Sequence, residues 1–157
     1  MPPIISNISL VTVYVTDQTA AKNWYIETLG FVETADIQMG DNGFRWVTVA
    51  HPDHRELEVT LMLPGPPLDE NLADAISRSL AGGSHGSLGL STQDCRRAYA
   101  ELTAKGVDFV QPPSERPYGV EAVFRDNSGN WLVLVESKEF DPTAAAAAAA
   151  DPTGAEL

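Results

Sequence analysis

Glu58 is the residue whose type and position most suggest chemistry. It lies in "HPDHRELEVTLML", residues 51–63, which is predicted to form a strand, a tight turn and a second strand. The segment "FRDNSGNWLVLVE", residues 124–136, has the same form, and alignment places Glu58 where the second copy has Val133. A carboxylate on such a strand could serve as a metal ligand or as a general base with a raised pKa.

The histidines offer few partners for Glu58. His85 lies two residues before Ser87, so the two side chains share one face of a predicted strand. His51 and His54 flank a hairpin turn, and we expect both in solvent. A metal site built on Glu58 would therefore have His85 as its main additional candidate.

No nucleophile motif competes with Glu58. Cys95 begins a predicted helix beside Arg96 and Arg97, an arrangement that would lower the pKa of a thiol. It has no histidine partner in the sequence pattern, so we interpret it as a bystander. The stretch "GGSHGS" lacks the strand–turn–helix context of a nucleophile elbow and the lysine of a phosphate loop, so it is interpreted as a loop.

Composition narrows the possible partners. The chain has 157 residues, 43% of them hydrophobic, and a formal net charge of −12, typical of one globular domain or two small modules. This acidity disfavours nucleic acid and anionic membranes and would attract a cationic small molecule, although it could also serve solubility alone. The chain has no membrane-length apolar run, no basic signal region and one cysteine, so we expect a cytoplasmic protein.

The first half of the chain predicts a strand, a helix and three strands. Asp17 is a suitable N-cap for a helix that runs to Leu29, and Gly30 is a suitable stop. The predicted strands are Ile8–Val15 and segments near Phe31–Ile37, Phe44–Ala50 and Glu56–Leu63.

The second half repeats this order. Asp94 caps a predicted helix to Lys105, between a strand at His85–Thr92 and strands near Val107–Val110, Val120–Arg125 and Trp131–Val135. Asp17 and Asp94 are 77 residues apart, and Glu58 and Val133 are 75 apart. This slowly drifting offset indicates a duplication, hence an α+β fold of two tandem β-α-β-β-β modules, residues 5–63 and 85–138.

Two further segments flank the modules. Residues 64–84 read as a linker with a short helix, because Leu68, Leu72, Ile76 and Leu80 recur every four residues and would form one buried stripe. Residues 139–157 contain a polyalanine stretch with little to bury, so we expect a disordered or weakly helical tail.

The duplicated unit resembles the vicinal oxygen chelate superfamily, which includes glyoxalase I, extradiol dioxygenases, and fosfomycin- and bleomycin-resistance proteins. The resemblance rests on "VTVYVTDQTAAKNWYIETLGF", "HGSLGLSTQDCRRAYAELTAKGVDFV" and "AVFRDNSGNWLVLVE". It implies that the sheets of the two modules curl into a U around a cavity. It also implies a homodimer with ligand grooves at the subunit interface. The fold alone does not identify an activity.

The resemblance implies four metal-ligand positions, which fall on Leu10, Glu58, Ser87 and Val133. Leu10 and Val133 carry no donor atom, and the hydroxyl of Ser87 is a poor neutral ligand. Because a tightly held divalent ion needs three or four ligands, we expect no metal cofactor. A Glu58–His85 pair completed by water is the remaining alternative.

The same implied geometry predicts an aromatic cavity. Tyr14, Trp46 and Trp131 would share the face of the metal positions, where Glu58 is the single charge, and this composition suits a flat or cationic organic ligand. Alternatively, the rings only fill the space of the missing metal. The predicted lining is Leu10, Thr12, Tyr14, Trp46, Glu58, Thr60, His85, Ser87, Trp131 and Val133.

These features predict a metal-free homodimer that binds or sequesters a small organic ligand, similar to the bleomycin-resistance type. The alternative is a lyase, isomerase or dioxygenase of the same superfamily that uses Glu58 as metal ligand or catalytic base. A third interpretation is an accessory module whose cavity serves only dimer packing.

Overall fold

The computed structural model describes residues 1–41, 43–140, 142–143 and 146–147. Their fold is α+β, and each half of the chain forms one four-stranded sheet, as the sequence predicts. The elements of the first half and the linker are β1 (Leu10–Tyr14), α1 (Gln18–Leu29), β2 (Val32–Met39), β3 (Phe44–His51), β4 (His54–Met62) and α2 (Glu70–Ala81). Those of the second half are β5 (His85–Ser91), α3 (Cys95–Ala104), β6 (Asp108–Arg116), β7 (Gly119–Arg125) and β8 (Asn130–Ser137).

The first sheet has the strand order β1-β4-β3-β2. β1 pairs with β4 in parallel, which places Leu10 beside Glu58 and Thr12 beside Thr60. The β2–β3 and β3–β4 pairs are antiparallel. The crossover through α1, β2 and β3 is what allows two strands so distant in sequence to run side by side in parallel.

Local capping chemistry explains the bounds of α1. The Asp17 side chain accepts a hydrogen bond from the Ala20 amide at 2.8 Å, and Gly30 ends the helix with a φ of 77°. A left-handed residue at this position favours glycine because it has no Cβ to clash. Both predicted ends of this helix are therefore confirmed.

The core of the first sheet lies on the face that α1 covers. Val13 of β1 and Val15, which follows the strand, are buried, as are Ala21 and Tyr25 of α1. Val47, Val49, Val59 and Leu61 extend this buried face across β3 and β4. Strand alternation then sends the intervening side chains to the opposite face, which we call the open face.

The second sheet has the order β5-β8-β7-β6 and follows the same logic. Asp94 caps α3, and Cys95 of that helix is buried. Val120, Ala122, Phe124, Leu132 and Leu134 form the buried face of β7 and β8. Phe109 lies between Tyr99 of α3 and Phe124 of β7, which identifies this face as the one that α3 covers.

The chain separates into two compact units that do not coincide with its two halves. The first comprises Met1–Leu88 together with Arg125–Trp131. The second comprises Gly89–Phe124 and the segment that begins at Leu132. The polar turn between β7 and β8 thus belongs to the same unit as the first sheet. No helix among the described residues is long and apolar enough to cross a membrane.

Several predicted elements differ in detail from the structure. β6 extends to Arg116 through Pro112 and Pro113, beyond the predicted end at Val110. It is an edge strand in the sheet order, and an edge strand tolerates proline because one side of it needs no ladder hydrogen bond. The helix predicted in the linker is present, but Leu72 of its expected buried stripe is 46% exposed. Most of the predicted tail lies outside the described residues.

Candidate functional site

The open face of the first sheet carries most of the predicted site residues in three rows. Leu10 and Glu58 form the first row. Thr12, Thr60 and Thr48 are neighbours in the second. The third contains two cross-strand pairs, Tyr14 with Met62 and Ile37 with Trp46. The structure therefore places an acidic, a hydroxyl-rich and an apolar–aromatic row on one surface.

Glu58 is half-buried, and its carboxylate has one hydrogen-bond donor among the described side chains. The Thr48 hydroxyl donates to Glu58 Oε1 across 3.4 Å, and Thr34 Oγ1 lies 2.6 Å from Thr48 Oγ1. Because Thr48 has a single hydroxyl proton and directs it at Glu58, Thr34 must donate to Thr48. This chain of hydroxyls orients the Glu58 carboxylate.

No cation within the described part of the chain pairs with Glu58. The ion pairs of this part of the chain involve other carboxylates, such as Asp36, which pairs with Lys22 and Arg45. A half-buried carboxylate normally finds a cationic partner or several hydrogen bonds, because loss of solvent is costly for a charge. Glu58 is thus an acceptor with unused capacity.

Thr60 adds a second polar group with unused capacity to this face. It is buried, and its Oγ1 has no hydrogen-bond partner within the described residues. Most buried polar side-chain atoms are hydrogen-bonded, and this hydroxyl can still donate or accept a hydrogen bond on the open face.

An aromatic group adjoins the third row. The rings of Tyr14 and His85 meet edge to face with centroids 6.5 Å apart, and His85 Nδ1 lies 3.2 Å from Ser79 Oγ. The indole Nε1–H of Trp131 donates to the Ser84 carbonyl at 3.1 Å, and 38% of Trp131 is exposed. Tyr14, His85 and Trp131 therefore belong to one unit. The His85 ring contacts the Tyr14 ring, and the Trp131 indole contacts Ser84, the residue before His85.

Two predicted site residues remain to be placed. Ser87 is exposed on β5, within the first unit. Val133 belongs to the second unit, where it alternates with buried Leu132 and Leu134 on β8 and therefore faces away from α3. A cavity that includes all ten predicted residues stays a prediction.

The residues at the implied metal positions do not fit a metal ion. Among them only Glu58 offers a charged donor, and within the described residues no group of three or more His, Cys, Asp or Glu side chains is arranged to hold an ion. His51 and His54 are exposed at the β3–β4 turn, where His54 Nδ1 contacts Glu56 at 3.3 Å. We therefore derive no chemistry through a metal.

The expectation of a lowered pKa for Cys95 is wrong. Burial raises the pKa of the thiol, and the Glu136 carboxylate adds to the effect, while Arg96 opposes it. The Sγ atom lies 3.9 Å from the Leu134 carbonyl. The thiol is turned into the core, where loss of solvent disfavours the thiolate.

Sequence reasoning missed the role of the polar turn at Asp126. This carboxylate is buried and accepts hydrogen bonds from the Tyr25 hydroxyl at 2.9 Å, from the Ser128 and Asn130 amides, and from the Asn130 side chain. Asn130 Nδ2 also donates to the Tyr14 carbonyl at 2.8 Å. Burial and then Asp126 raise the pKa of Tyr25 well above its usual value. The turn thus ties α1 to the strand that carries Tyr14.

Glu121 was also missed, because only its surroundings distinguish it. It lies on β7 opposite the buried side chains of Val120 and Ala122. Its carboxylate contacts Arg116 Nε at 3.6 Å and Gln111 Nε2 at 3.5 Å, and it accepts a short hydrogen bond from the Tyr118 hydroxyl. The face of the second sheet that α3 does not cover, which we call the open face of that sheet, therefore also carries a carboxylate, but one with several partners.

Comparison with known proteins gives a consistent picture. The model of the Glyoxalase/Bleomycin resistance protein/Dioxygenase superfamily matches residues 7–134. The crystal structure of UcmS2 is 41% identical and covers 85% of this chain and 100% of its own, with a TM-score of 0.78. TnmS3, an antibiotic binding protein from Streptomyces sp. CB03234, is 33% identical over 87% of this chain and 100% of its own, with a TM-score of 0.68. The uncharacterised YurT of Bacillus subtilis (strain 168) is 31% identical over 131 residues, 82% of this chain and 98% of its own.

Proposed function

Because the chain belongs to the glyoxalase/bleomycin resistance protein/dioxygenase superfamily, we propose that it binds a small organic molecule and releases it chemically unchanged. The binding surface is the open face of the first sheet. One similar solved protein is an antibiotic binding protein, which supports a binding role over a catalytic one. The observation that carries the proposal is Glu58, a half-buried carboxylate without a cationic partner among the described residues.

The charge of Glu58 favours a cationic ligand. Desolvation by a neutral ligand would leave the carboxylate uncompensated, whereas a cation would replace the lost solvation with a direct attraction. The hydroxyl chain through Thr48 orients the carboxylate before binding. The net charge of −12 adds a favourable long-range field for cations.

The third row of the open face favours a flat, largely apolar ligand. Trp46 and Tyr14 offer ring surfaces, and Met62 offers a polarisable side chain that adapts to irregular shapes. A positive charge near these rings would also gain from the aromatic quadrupole. We therefore propose an aromatic cation as the ligand class, with no metal or organic cofactor.

We further propose that the protein is a homodimer. Ile37, Met39 and Phe44 lie close together on β2 and β3 of the open face and are 53%, 49% and 37% exposed. Clustered exposed apolar side chains of this kind are typical of interfaces.

Sedimentation equilibrium at tens of micromolar is expected to give a dimer. Ile37→Lys should shift it towards monomer, and Leu72→Lys, at an exposed position on α2, should not. A monomeric wild-type protein would contradict this assembly.

The central test compares 1-methylquinolinium with its uncharged isostere 1-methylnaphthalene. Calorimetry or ligand-observed NMR should show that the wild-type protein prefers the cation by roughly fivefold, equivalent to about 1 kcal/mol. Glu58→Gln should remove this preference with little change in fold, since the two side chains are nearly isosteric. Glu56→Gln is the matched control: it makes the same charge change on β4 at an exposed carboxylate that contacts His54. Equal loss of preference in both variants would contradict a specific role for Glu58.

The same experiment separates binding from catalysis. The ligand should be recovered unchanged after prolonged incubation with the protein, as judged by mass spectrometry. If Glu58→Gln left binding intact but abolished turnover of a compound, Glu58 would be a catalytic base and the binding-only proposal would be wrong.

A further inference from the structure

Two contacts of the indole ring hold Trp131 against β5. Its Nε1–H donates to the Ser84 carbonyl at 3.1 Å. Its six-membered ring lies against Gly86, so closely that a Cβ at residue 86 would be 2.4 Å from Cζ2 and 2.7 Å from Cε2. Real Cβ atoms do not approach other atoms this closely. The ring occupies the space that any other residue at position 86 would need.

The backbone gives no other reason for glycine at position 86. Gly86 is not among the glycines with positive φ, such as Gly83 and Gly129, where other residues would be strained. An alanine could adopt the backbone conformation of Gly86 but would displace the indole. The absence of a side chain at residue 86 therefore serves the position of Trp131 specifically, as in sheets where an aromatic side chain covers a glycine on a neighbouring strand.

The indole remains partly accessible. Trp131 is 38% exposed although its ring lies against Gly86 and its only polar atom is bonded. His85, between Ser84 and Gly86 in the chain, carries the ring that meets Tyr14 edge to face. Tyr14 in turn lies beside Met62 in the third row of the open face. The strand segment that holds the indole therefore also contacts Tyr14 of the open face.

We propose that Gly86 and the Ser84 carbonyl hold Trp131 as a preformed flat platform on which a planar aromatic ligand stacks. Gly86 is then a positioning residue, which acts through Trp131 and touches no ligand itself. The ligand class rests on the proposed function, whereas the fixed position of the indole does not. A ring immobilised before binding loses little conformational freedom when the ligand arrives, which favours stacking over contacts with mobile side chains.

The position of the ring is testable without any ligand. The chain has three tryptophans, and Trp131→Phe identifies the Trp131 indole N–H signal in a ¹⁵N–¹H spectrum. In Gly86→Ala this N–H should exchange with solvent roughly three- to tenfold faster than in the wild-type protein, because its bond to Ser84 is lost. The matched control is Gly89→Ala on the same strand, where a Cβ has nothing within 4 Å. Unchanged exchange in Gly86→Ala, or equal acceleration in Gly89→Ala, would overturn the proposal.

Binding tests the platform itself. The wild-type protein should bind planar 1-methylquinolinium more tightly than the saturated cation 1-methyldecahydroquinolinium. Gly86→Ala should weaken the planar probe by about two- to tenfold and leave the saturated one unchanged, while Gly89→Ala alters neither. Equal weakening of both probes would show a general structural effect and refute the stacking role. If neither probe bound the wild-type protein, the proposed ligand class would fail, and the indole exchange rates would still decide whether Gly86 fixes the ring.

Discussion

Glu58 and Glu121 are carboxylates on the open faces of the first and second sheets, yet their surroundings differ sharply. Glu121 interacts with an arginine, an amide and a phenolic hydroxyl from its own unit. Glu58 has one threonine hydroxyl at 3.4 Å. A carboxylate with several donors stabilises the folded chain, whereas one with few is available to a ligand. The difference assigns a structural role to Glu121 and leaves Glu58 as the functional candidate.

Asp126 is a buried carboxylate that accepts four hydrogen bonds, and its substitution is expected to have the largest effect on stability. Asp126→Ala removes the acceptor for the Tyr25 hydroxyl, two amides and the Asn130 side chain, all in a buried environment. We expect a loss of about 3–5 kcal/mol in the free energy of unfolding, measured by urea denaturation. Asn127→Ala, at an exposed position in the same turn, should cost far less, although Asn127 donates to the Ala20 carbonyl. Similar losses of unfolding free energy in both variants would show that any disturbance of this turn is costly and that the Asp126 carboxylate has no special role.

Substitution of Glu121 sharpens the comparison directly. Glu121→Gln keeps the shape of the side chain but removes the charge that Arg116 and the Tyr118 hydroxyl engage. We expect a loss of about 1–2 kcal/mol in unfolding free energy, measured by urea denaturation. The pKa of Tyr118, which its hydrogen bond to Glu121 raises, should fall towards its ordinary value. If Glu121→Gln left the unfolding free energy unchanged, Glu121 would have no structural role and would not differ from Glu58 in this respect.

Asp36 extends the comparison to a carboxylate paired with cations. Its hydrogen bond from Arg45, followed by that from Lys22, holds the pKa of Asp36 well below its usual range. A lowered folded-state pKa means that the stability is fully present above the unfolded-state pKa of about 4 and is lost as the pH falls towards the folded-state value. Asp36→Asn lacks this contribution. The wild-type protein should therefore have the larger unfolding free energy at pH 6, and the difference between the two proteins should shrink below pH 4. A pH-independent difference between the two proteins would contradict this linkage.

Glu58 should give the smallest effect on stability. Glu58→Gln removes a charge that has no cation partner among the described residues, so we expect a change within about 0.5 kcal/mol of the wild-type value or a small gain. The measurement is the same urea denaturation used for Glu121→Gln. A loss as large as that of Glu121→Gln would indicate that Glu58 is structurally engaged and would weaken its assignment as the ligand-binding charge.

Much of the fold could be predicted because its signals are local. Asp17, Gly30 and Asp94 mark helix ends through contacts within a few residues, and the structure confirms them. The alternation of Val13 and Val15 with Thr12 and Tyr14 likewise follows from strand geometry. β6 was underestimated because Pro112 and Pro113 read as strand breakers, and only its position at the sheet edge makes them acceptable.

The candidate site was less predictable because its properties depend on residues distant in sequence. Trp131 was predicted as a cavity residue, but its contacts with Ser84 and Gly86 join segments more than 40 residues apart. The sequence singled out Glu58 by its place in the repeat, but it could not show that Glu121 has several hydrogen-bond and ion-pair partners while Glu58 has one. Whether all ten predicted residues line one cavity stays a prediction.

Sequence by itself determined the duplicated β-α-β-β-β order, the superfamily resemblance and the absence of donor atoms at Leu10 and Val133. These follow from residue types, short-range capping and alternation, all of which act along the chain. Only the tertiary structure decided which carboxylate has partners, that Cys95 is buried with a raised pKa, and that Asp126 ties its turn to Tyr25 and, through Asn130, to β1. The physical reason is that charge compensation and desolvation depend on which groups meet in space, and strand pairing brings together groups that are far apart in the sequence.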